Sequence, residues 1–485
     1  MKRTLLTLAA ALFLLPASAQ QVPEWLKEGI LYHIYPSSFK DSDGDGIGDL
    51  EGIRSKLPYV KSLGANTIWL SPVFRSEFED GGYDITDFYR IDPRFGTNSQ
   101  LVQLVREAHD LGIRVCLDLV AGHTSDKHPW FRQSSEADPE LQYSDYYIWS
   151  DSKDSLPTKK FVRSDAARDG NYMKNFFDIQ PALNYGYLHP DPAQPWQQGY
   201  DDPGPTAVRN ELKNIISFWM DKGVDGFRCD MAMLVPIEFW NETSLRLRRV
   251  KPDLFMLAEA EERNLFEEGA FDACYAWRMH HLMNDVARQR TRVTALRDYI
   301  YADRDDYPDS AMRLAFTSNH DENSWNGSEF SRLGDAREIM AVFTFVVPRG
   351  LPLIYTGQEI GYDHSFAFFD RDPMVDPRPG RFTELYRLLC LLKHRNRALQ
   401  AGERGGSFVE IENNAKDCLM TFVREVEGNR VLCVMNLSPY TIHADFNTGI
   451  YQGEYADALT GNRIVVPYRV EQDMAPWSYR ILIRE

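Results

Sequence analysis

Three short apolar runs end on acids: one reaches Asp118, a second ends in Gly-Phe-Arg-Cys-Asp at Asp230, and a third, Leu-Phe-Met-Leu-Ala, closes on Glu259. A fourth, from Met312, leads to Asn319, His320 and Asp321, while Tyr83, Asp84 and His123 follow two of the others. One acid at a strand end is commonly a cap or an ion-pair partner, but three acids closing three buried runs point to chemistry. The set contains no Ser/His/Asp order, no cysteine in a nucleophile context and no glycine-rich phosphate loop. Carboxyl groups converging with histidines fit glycoside hydrolysis, in which one carboxylate attacks or assists and one carboxylic acid protonates the leaving oxygen. Arg228 lies two residues before Asp230, so on a strand both side chains share a face.

A repeating element must hold these residues together. Ser99 to Leu111 places Leu101, Leu104, Val105, Ala108 and Leu111 on one helical face; Gly112 ends it and the apolar run Ile113 to Val120 follows. The same order returns at Glu211 to Lys222, Gly223, and Val224 to Asp230. Further buried strands are expected at Ile30 to Pro36, Thr67 to Pro72, Leu254 to Glu259, Phe271 to Trp277, Met312 to Asn319 and Leu351 to Gly357. Together they predict an α/β fold, a (β/α)8 barrel, with its site at the C-terminal ends of the strands.

Residues 124–206 break the pattern and predict a subdomain inserted after the third strand, because βα loops are normally short. Residues 20–123 and 207–402 then form the barrel, and the alternating runs over 403–485 predict a C-terminal all-β sandwich.

The stretch DSDGDGIGDL sets Asp41, Asp43, Asp45 and Asp49 at alternate positions, with Gly46 and Gly48 permitting the turn. Aspartates so spaced surround a hard cation, and the Ile47 carbonyl completes a calcium set resembling the first part of an EF-hand loop. Gly52 stands where the closing bidentate Glu of such a loop belongs.

DLVAGH at 118–123, GFRCD at 226–230, LFMLAE ending at Glu259 and FTSNHD at 316–321 resemble, in this order, the motifs of the α-amylase family, glycoside hydrolase family 13. The resemblance runs from about position 30 to the C-terminus. It implies Asp230 as nucleophile, Glu259 as general acid/base and Asp321 as the acid stabilising the transition state. Arg228 resembles the arginine that keeps the nucleophile ionised. Asp118, His123 and His320 resemble sugar-binding residues, and Tyr83 their stacking platform. Glu259 is then expected protonated beside an ionised Asp230, giving a covalent intermediate and a retained α configuration.

Three departures lead away from archetypal starch amylases: Gly122 replaces an Asn that binds a second calcium, Met233 and Leu234 replace a Lys-His pair, and QPALN at 180–184 resembles oligo-1,6-glucosidase and intermediate forms. Asp84 with Arg378 is expected to close the non-reducing side. The expected activity is hydrolysis of α-glucosidic, foremost α-1,4, bonds in starch-derived glucans or malto-oligosaccharides. An exo-acting α-glucosidase or oligo-1,6-glucosidase and a transglycosylase remain open. A non-catalytic glucan-binding relative would be expected to lose one of the three acids.

The formal charge of −17 speaks against nucleic acid or an anionic membrane surface as partner. The basic start, the apolar run Leu5 to Leu15 and the small residues Ala17 and Ala19 read as a signal peptide over 1–19, which implies export to the periplasm or beyond. No later run is long enough to span a bilayer. Six cysteines are few for an exported chain of 485 residues. Most are expected as free buried thiols, with Cys418 and Cys433 as the pair placed to form a disulfide.

Overall fold

The computed structural model describes residues 22–370 and 372–484, so the expected signal peptide lies outside the described residues. Eight parallel strands close a barrel: β1 (Leu31–Ile34), β2 (Thr67–Leu70), β3 (Arg114–Leu119), β4 (Gly226–Cys229), β5 (Phe255–Ala258), β6 (Ala273–Tyr275), β7 (Met312–Ala315) and β8 (Gly350–Tyr355). Each strand lies beside its sequence neighbours, and β8 pairs back onto β1 through Leu31 and Leu353. Seven fall inside the runs expected from sequence, and β8 begins one residue before its run, at Gly350.

Alternation along these strands sorts the side chains. Leu31, Trp69, Cys116, Phe255, Leu257, Ala273, Tyr275, Leu314 and Leu353 form one buried cluster inside the barrel. The intervening Tyr32, Ile68, Val115, Leu117, Phe227, Met256 and Ile354 join the larger core shared with the surrounding helices. Carrying the inner series forward by twos brings His33, Asp118, Arg228, Asp230, Glu259 and Tyr355 to the C-terminal ends of the strands. The site is therefore a continuation of the pleat.

Helix α1 (Leu50–Leu63) is capped by Asp49, whose side chain accepts from Gly52 N, and α2 (Asn98–Asp110) opens on a reciprocal Thr97/Gln100 capping box. Helix α3 (Pro203–Asp221) begins earlier than the expected apolar stripe, with Pro203 in its first turn, where a missing N–H costs nothing. Gly223, at φ +98°, supplies the left-handed residue that turns the chain into β4.

Between β3 and α3 the chain makes a long excursion with the helix Pro129–Ser134 and a small hairpin pairing Phe161–Val162 with Tyr172–Met173. Trp130, Phe131, Tyr147 and Trp149 give it an aromatic interior. Its strands are tied to the barrel end by a bridge between His123 and Ala182.

The C-terminal domain pairs a six-stranded antiparallel sheet with a two-stranded one. In its central hairpin, β9 (Leu419–Val426) and β10 (Asn429–Asn436), Val423, Leu432 and Val434 pack within the domain, while Phe422, Val431 and Cys433 pack with the barrel core. Cys418 and Cys433, the pair placed to form a disulfide, do not form one. Cys433 stands opposite Phe422 in the register, and all six cysteines are free thiols.

Candidate active site

Arg228 organises the barrel mouth. Its Nη1 lies 2.8 Å from Asp118 Oδ1 and 2.9 Å from Asp230 Oδ1, and its Nη2 lies 2.7 Å from Glu259 Oε2. Nε donates to the Tyr275 hydroxyl at 3.2 Å. Three strands thus deliver three carboxylates to one fully buried guanidinium, whose fork suits such bridging. The backbone of Met231, in the left-handed region at φ 39°, donates its N–H to Glu259 Oε2 at 2.8 Å. Each of the two acids therefore has one oxygen fixed and one, Asp230 Oδ2 and Glu259 Oε1, free of protein hydrogen bonds among the described residues.

One cation cannot keep every carboxylate here ionised. Burial, opposed by Arg228, pushes Asp118 up to about 6, Asp230 to about 7 and Glu259 to about 8. The order agrees with a protonated Glu259 beside a more readily ionised Asp230. The expected cause needs correction, because Arg228 grips both acids and so does not by itself single out Asp230.

Tyr83 is buried; its hydroxyl donates to Asp118 Oδ2 at 3.2 Å and lies 2.7 Å from His320 Nε2. Its ring is near-parallel to His320 and Phe368, at 5.6 and 6.4 Å. Burial holds His123 and His320 near pKa 4, so both are neutral at pH 7. Asn175 Nδ2 donates to His123 Nδ1 at 3.1 Å, which places the ring proton on the buried Nε2. Asp321 approaches His320 at 3.5 Å and is partly exposed at the mouth.

Asp84 and Arg378 do not meet. Asp84 is buried and accepts from Ser76 Oγ and from the N–H groups of Glu79 and Asp80, so it fastens the 76–84 loop. Arg378 is exposed, donates to the Asp376 carbonyl and has its own carbonyl bonded by Tyr59 of α1.

The acid facing the site from this loop is Asp80. It is buried, bonded by Gln180 of QPALN, and raised to about 7 by burial and then by the charges of Asp84 and Asp321. Its place three residues before Tyr83 was the available signal. Asn175 was equally hidden. A Cβ on Gly122 would lie 2.8 Å from Asn175 Nδ2, so Gly122 leaves room for an amide that comes from another segment.

The family model for the α-amylase catalytic domain matches residues 33–379, and that for the α-amylase C-terminal all-β domain matches residues 411–470. The chain belongs to the α-amylase family. It is a family 13 glycosidase, 32% identical over 473 residues to α-amylase 3 of Dictyoglomus thermophilum, covering 88% of each chain. An oligo-1,6-glucosidase of Heyndrickxia coagulans is 42% identical over a shorter stretch, 43% of this chain and 36% of that enzyme. The α-amylase from H. orenii superposes with a TM-score of 0.75 at 25% identity, covering 95% of this chain and all of its own.

In this α-amylase-family chain Asp41, Asp43 and Asp49 bring carboxylate oxygens within 4.8 Å of one another. Hard oxygens at that spacing fit calcium. Asp45 is outside the group, its Oδ1 accepting from Ile47 N at 2.7 Å. The missing bidentate Glu has a steric cause: a Cβ on Gly52 would sit 1.9 Å from the Lys40 carbonyl. Met233 and Leu234, just beyond Asp230, line a cavity of about 280 Å³ with Pro236 and Trp240. No helix among the described residues is long and apolar enough to cross a membrane.

Proposed function

We propose that this glycosidase cleaves α-glucosidic bonds, foremost α-1,4 bonds of starch-derived glucans or malto-oligosaccharides, with retention of configuration. The observation that carries the reading is the shared guanidinium of Arg228, which holds Asp230 and Glu259 by one oxygen each and leaves the other free. Asp230 Oδ2 attacks the anomeric carbon as Glu259 gives its proton to the departing glycosidic oxygen. The C1–O bond breaks and a β-glucosyl ester forms. Glu259, now a carboxylate, takes a proton from water, whose oxygen displaces Asp230 and leaves an α-configured product. Asp321, His123 and His320 hold the sugar hydroxyls as charge grows on the ring. Neutral histidines suit this task because the substrate carries no charge.

A second reading, an exo-acting α-glucosidase or oligo-1,6-glucosidase, is favoured by the contact between Gln180 and Asp80, a buried acid poised beside the mouth. Transfer to another sugar hydroxyl uses the same second step with a different acceptor. A calcium ion in the 41–49 loop would be structural, held by Asp41, Asp43 and Asp49. Export through the 1–19 segment belongs to the same reading, and a secreted chain beginning at Gln20 by mass spectrometry would support it.

Maltoheptaose and isomaltose, each with and without phosphate, separate these readings. Shorter malto-oligosaccharides appearing first as α-anomers by NMR are expected. β-Anomers overturn retention, faster turnover of isomaltose favours the second reading, and longer oligosaccharides or glucose 1-phosphate overturn hydrolysis.

A further inference from the structure

At the end of the barrel opposite the carboxylates, where β7 and β8 begin, a cavity of about 380 Å³ lies between the barrel and the C-terminal domain. Its lining combines the rings of Tyr299, Tyr301 and Phe408 with the guanidiniums of Arg313, Arg349 and Arg424. Arg313 is paired with Glu261 and Asp303, and Arg349 with Asp309 and Asp303. Arg424 has no carboxylate partner among the described residues. Its Nε donates to the Gly406 carbonyl at 3.0 Å and its Nη1 to the Val346 carbonyl at 2.9 Å, while Nη2 makes no hydrogen bond among the described residues.

The Arg424 side chain is 1% exposed, and burial draws its pKa down to about 10. Close by in the field of this charge is the buried Lys393 amine, which donates to the carbonyls of Gly350 and Leu399 and is lowered to about 7 by burial and then by Arg424, against the opposing charge of Glu28. Arg424 is a buried cation without a carboxylate partner among the described residues, which is anomalous in a chain of charge −17. A buried charge is costly unless paired, and guanidinium pairs best with a planar oxyanion.

We propose that this cavity binds a small organic carboxylate with an apolar or aromatic body, its carboxylate on Arg424 Nη2 and its body against Tyr301 and Phe408. The volume lies in the range of small-molecule sites. One free guanidinium edge amid aromatic rings suits a monoanion with an apolar body better than an inorganic anion, which would leave the rings uncovered. Because Arg424 and Phe408 belong to the C-terminal domain and Tyr301 to the barrel layer, the ligand would fasten one to the other.

Benzoate, its neutral analogue benzamide and inorganic phosphate are compared by thermal denaturation of the full chain at constant ionic strength. Benzoate should raise Tm saturably, with benzamide and phosphate inert. Arg424→Gln should lose the rise. Tyr301→Ala, which keeps every bond of Arg424, should weaken half-saturation by about tenfold, ~1.4 kcal/mol, and it carries the test if the Arg424 variant does not fold. No rise with benzoate, equal rises with benzoate and benzamide, a rise with phosphate alone, or an unchanged response in a folded Arg424→Gln overturns the proposal.

Discussion

Arg228 Nη2 holds Glu259 Oε2 at 2.7 Å, as close as the same guanidinium holds any other acid of the site. The proton donor and the attacking carboxylate are therefore electrostatically one unit, and their protons belong to the cluster.

The pH profile follows from this sharing. Activity needs Asp230 without its proton and Glu259 with it. Falling pH adds a second proton to the pair and rising pH strips the last one, and burial raises both carboxyls, to about 7 at Asp230 and about 8 at Glu259. The kcat/KM profile should be a narrow bell with its maximum between about 7 and 8. A maximum near pH 5 would mean that Arg228 outweighs burial at both acids.

Arg228→Met tests the guanidinium directly. Removing one partner of a buried charge set typically costs about 3–5 kcal/mol. Asp118, Asp230 and Glu259 would escape part of that by taking up protons, so stability should fall less at acid pH than at pH 8. The acid limb of kcat/KM should move upward in pH. An unmoved limb in a folded variant would separate Arg228 from the ionisation of Asp230.

Glu259→Gln removes a proton that matters only when the leaving group needs it. Loss of a general acid typically costs about 10²–10⁴-fold in rate. On maltose that loss should appear in full. With 2,4-dinitrophenyl α-glucoside, whose phenolate leaves unaided, glycosylation should be nearly unaffected and the second step slowed, visible as a burst of released phenol. Equal losses on both substrates would place Glu259 elsewhere in the mechanism.

What the sequence made legible was whatever obeyed a local period. Arg228 and Asp230 share a face because they are two apart on a strand, and Asp118 and Glu259 lie in the same inward series on the two runs that flank it. What it concealed depends on chain reversals. Asp84 turns back on its own loop, Arg378 is held on the outer side by Tyr59, and Asn175 returns from the inserted segment to His123. Cys418 and Cys433 lie near in sequence, yet the register of β9 and β10 sets Phe422 opposite Cys433. Gly52 looked like a lost metal ligand; the Lys40 carbonyl shows it is a required close approach.

The 41–49 loop gives a graded test of calcium. Asp49 is both a member of the acid group and the cap of α1, whereas Asp41, also in the group, bonds back to its own loop. Chelator should lower Tm, and added calcium should restore it with a concentration dependence set by affinity. Asp41→Asn should abolish that response. Asp49→Asn should abolish it and also weaken the cap, while Asp49→Ala should cost about 1 kcal/mol more in either condition. A Tm indifferent to both chelator and calcium would leave the loop as an acidic turn.

Asp80 and Asp84 look interchangeable in the sequence and should behave as opposites. Asp84 accepts three hydrogen bonds within its loop, so Asp84→Ala strands buried donors. Hydrogen bonds to a charged group are worth about 1.5–3 kcal/mol each; a clear fall in Tm is expected. Asp80 bonds Gln180 and feels the charge of Asp321. Asp80→Asn keeps its volume, so Tm should hold while KM for short oligosaccharides rises. If Asp80→Asn lowers Tm and leaves KM alone, both acids are loop fasteners, and the non-reducing side of the site must be closed by other residues.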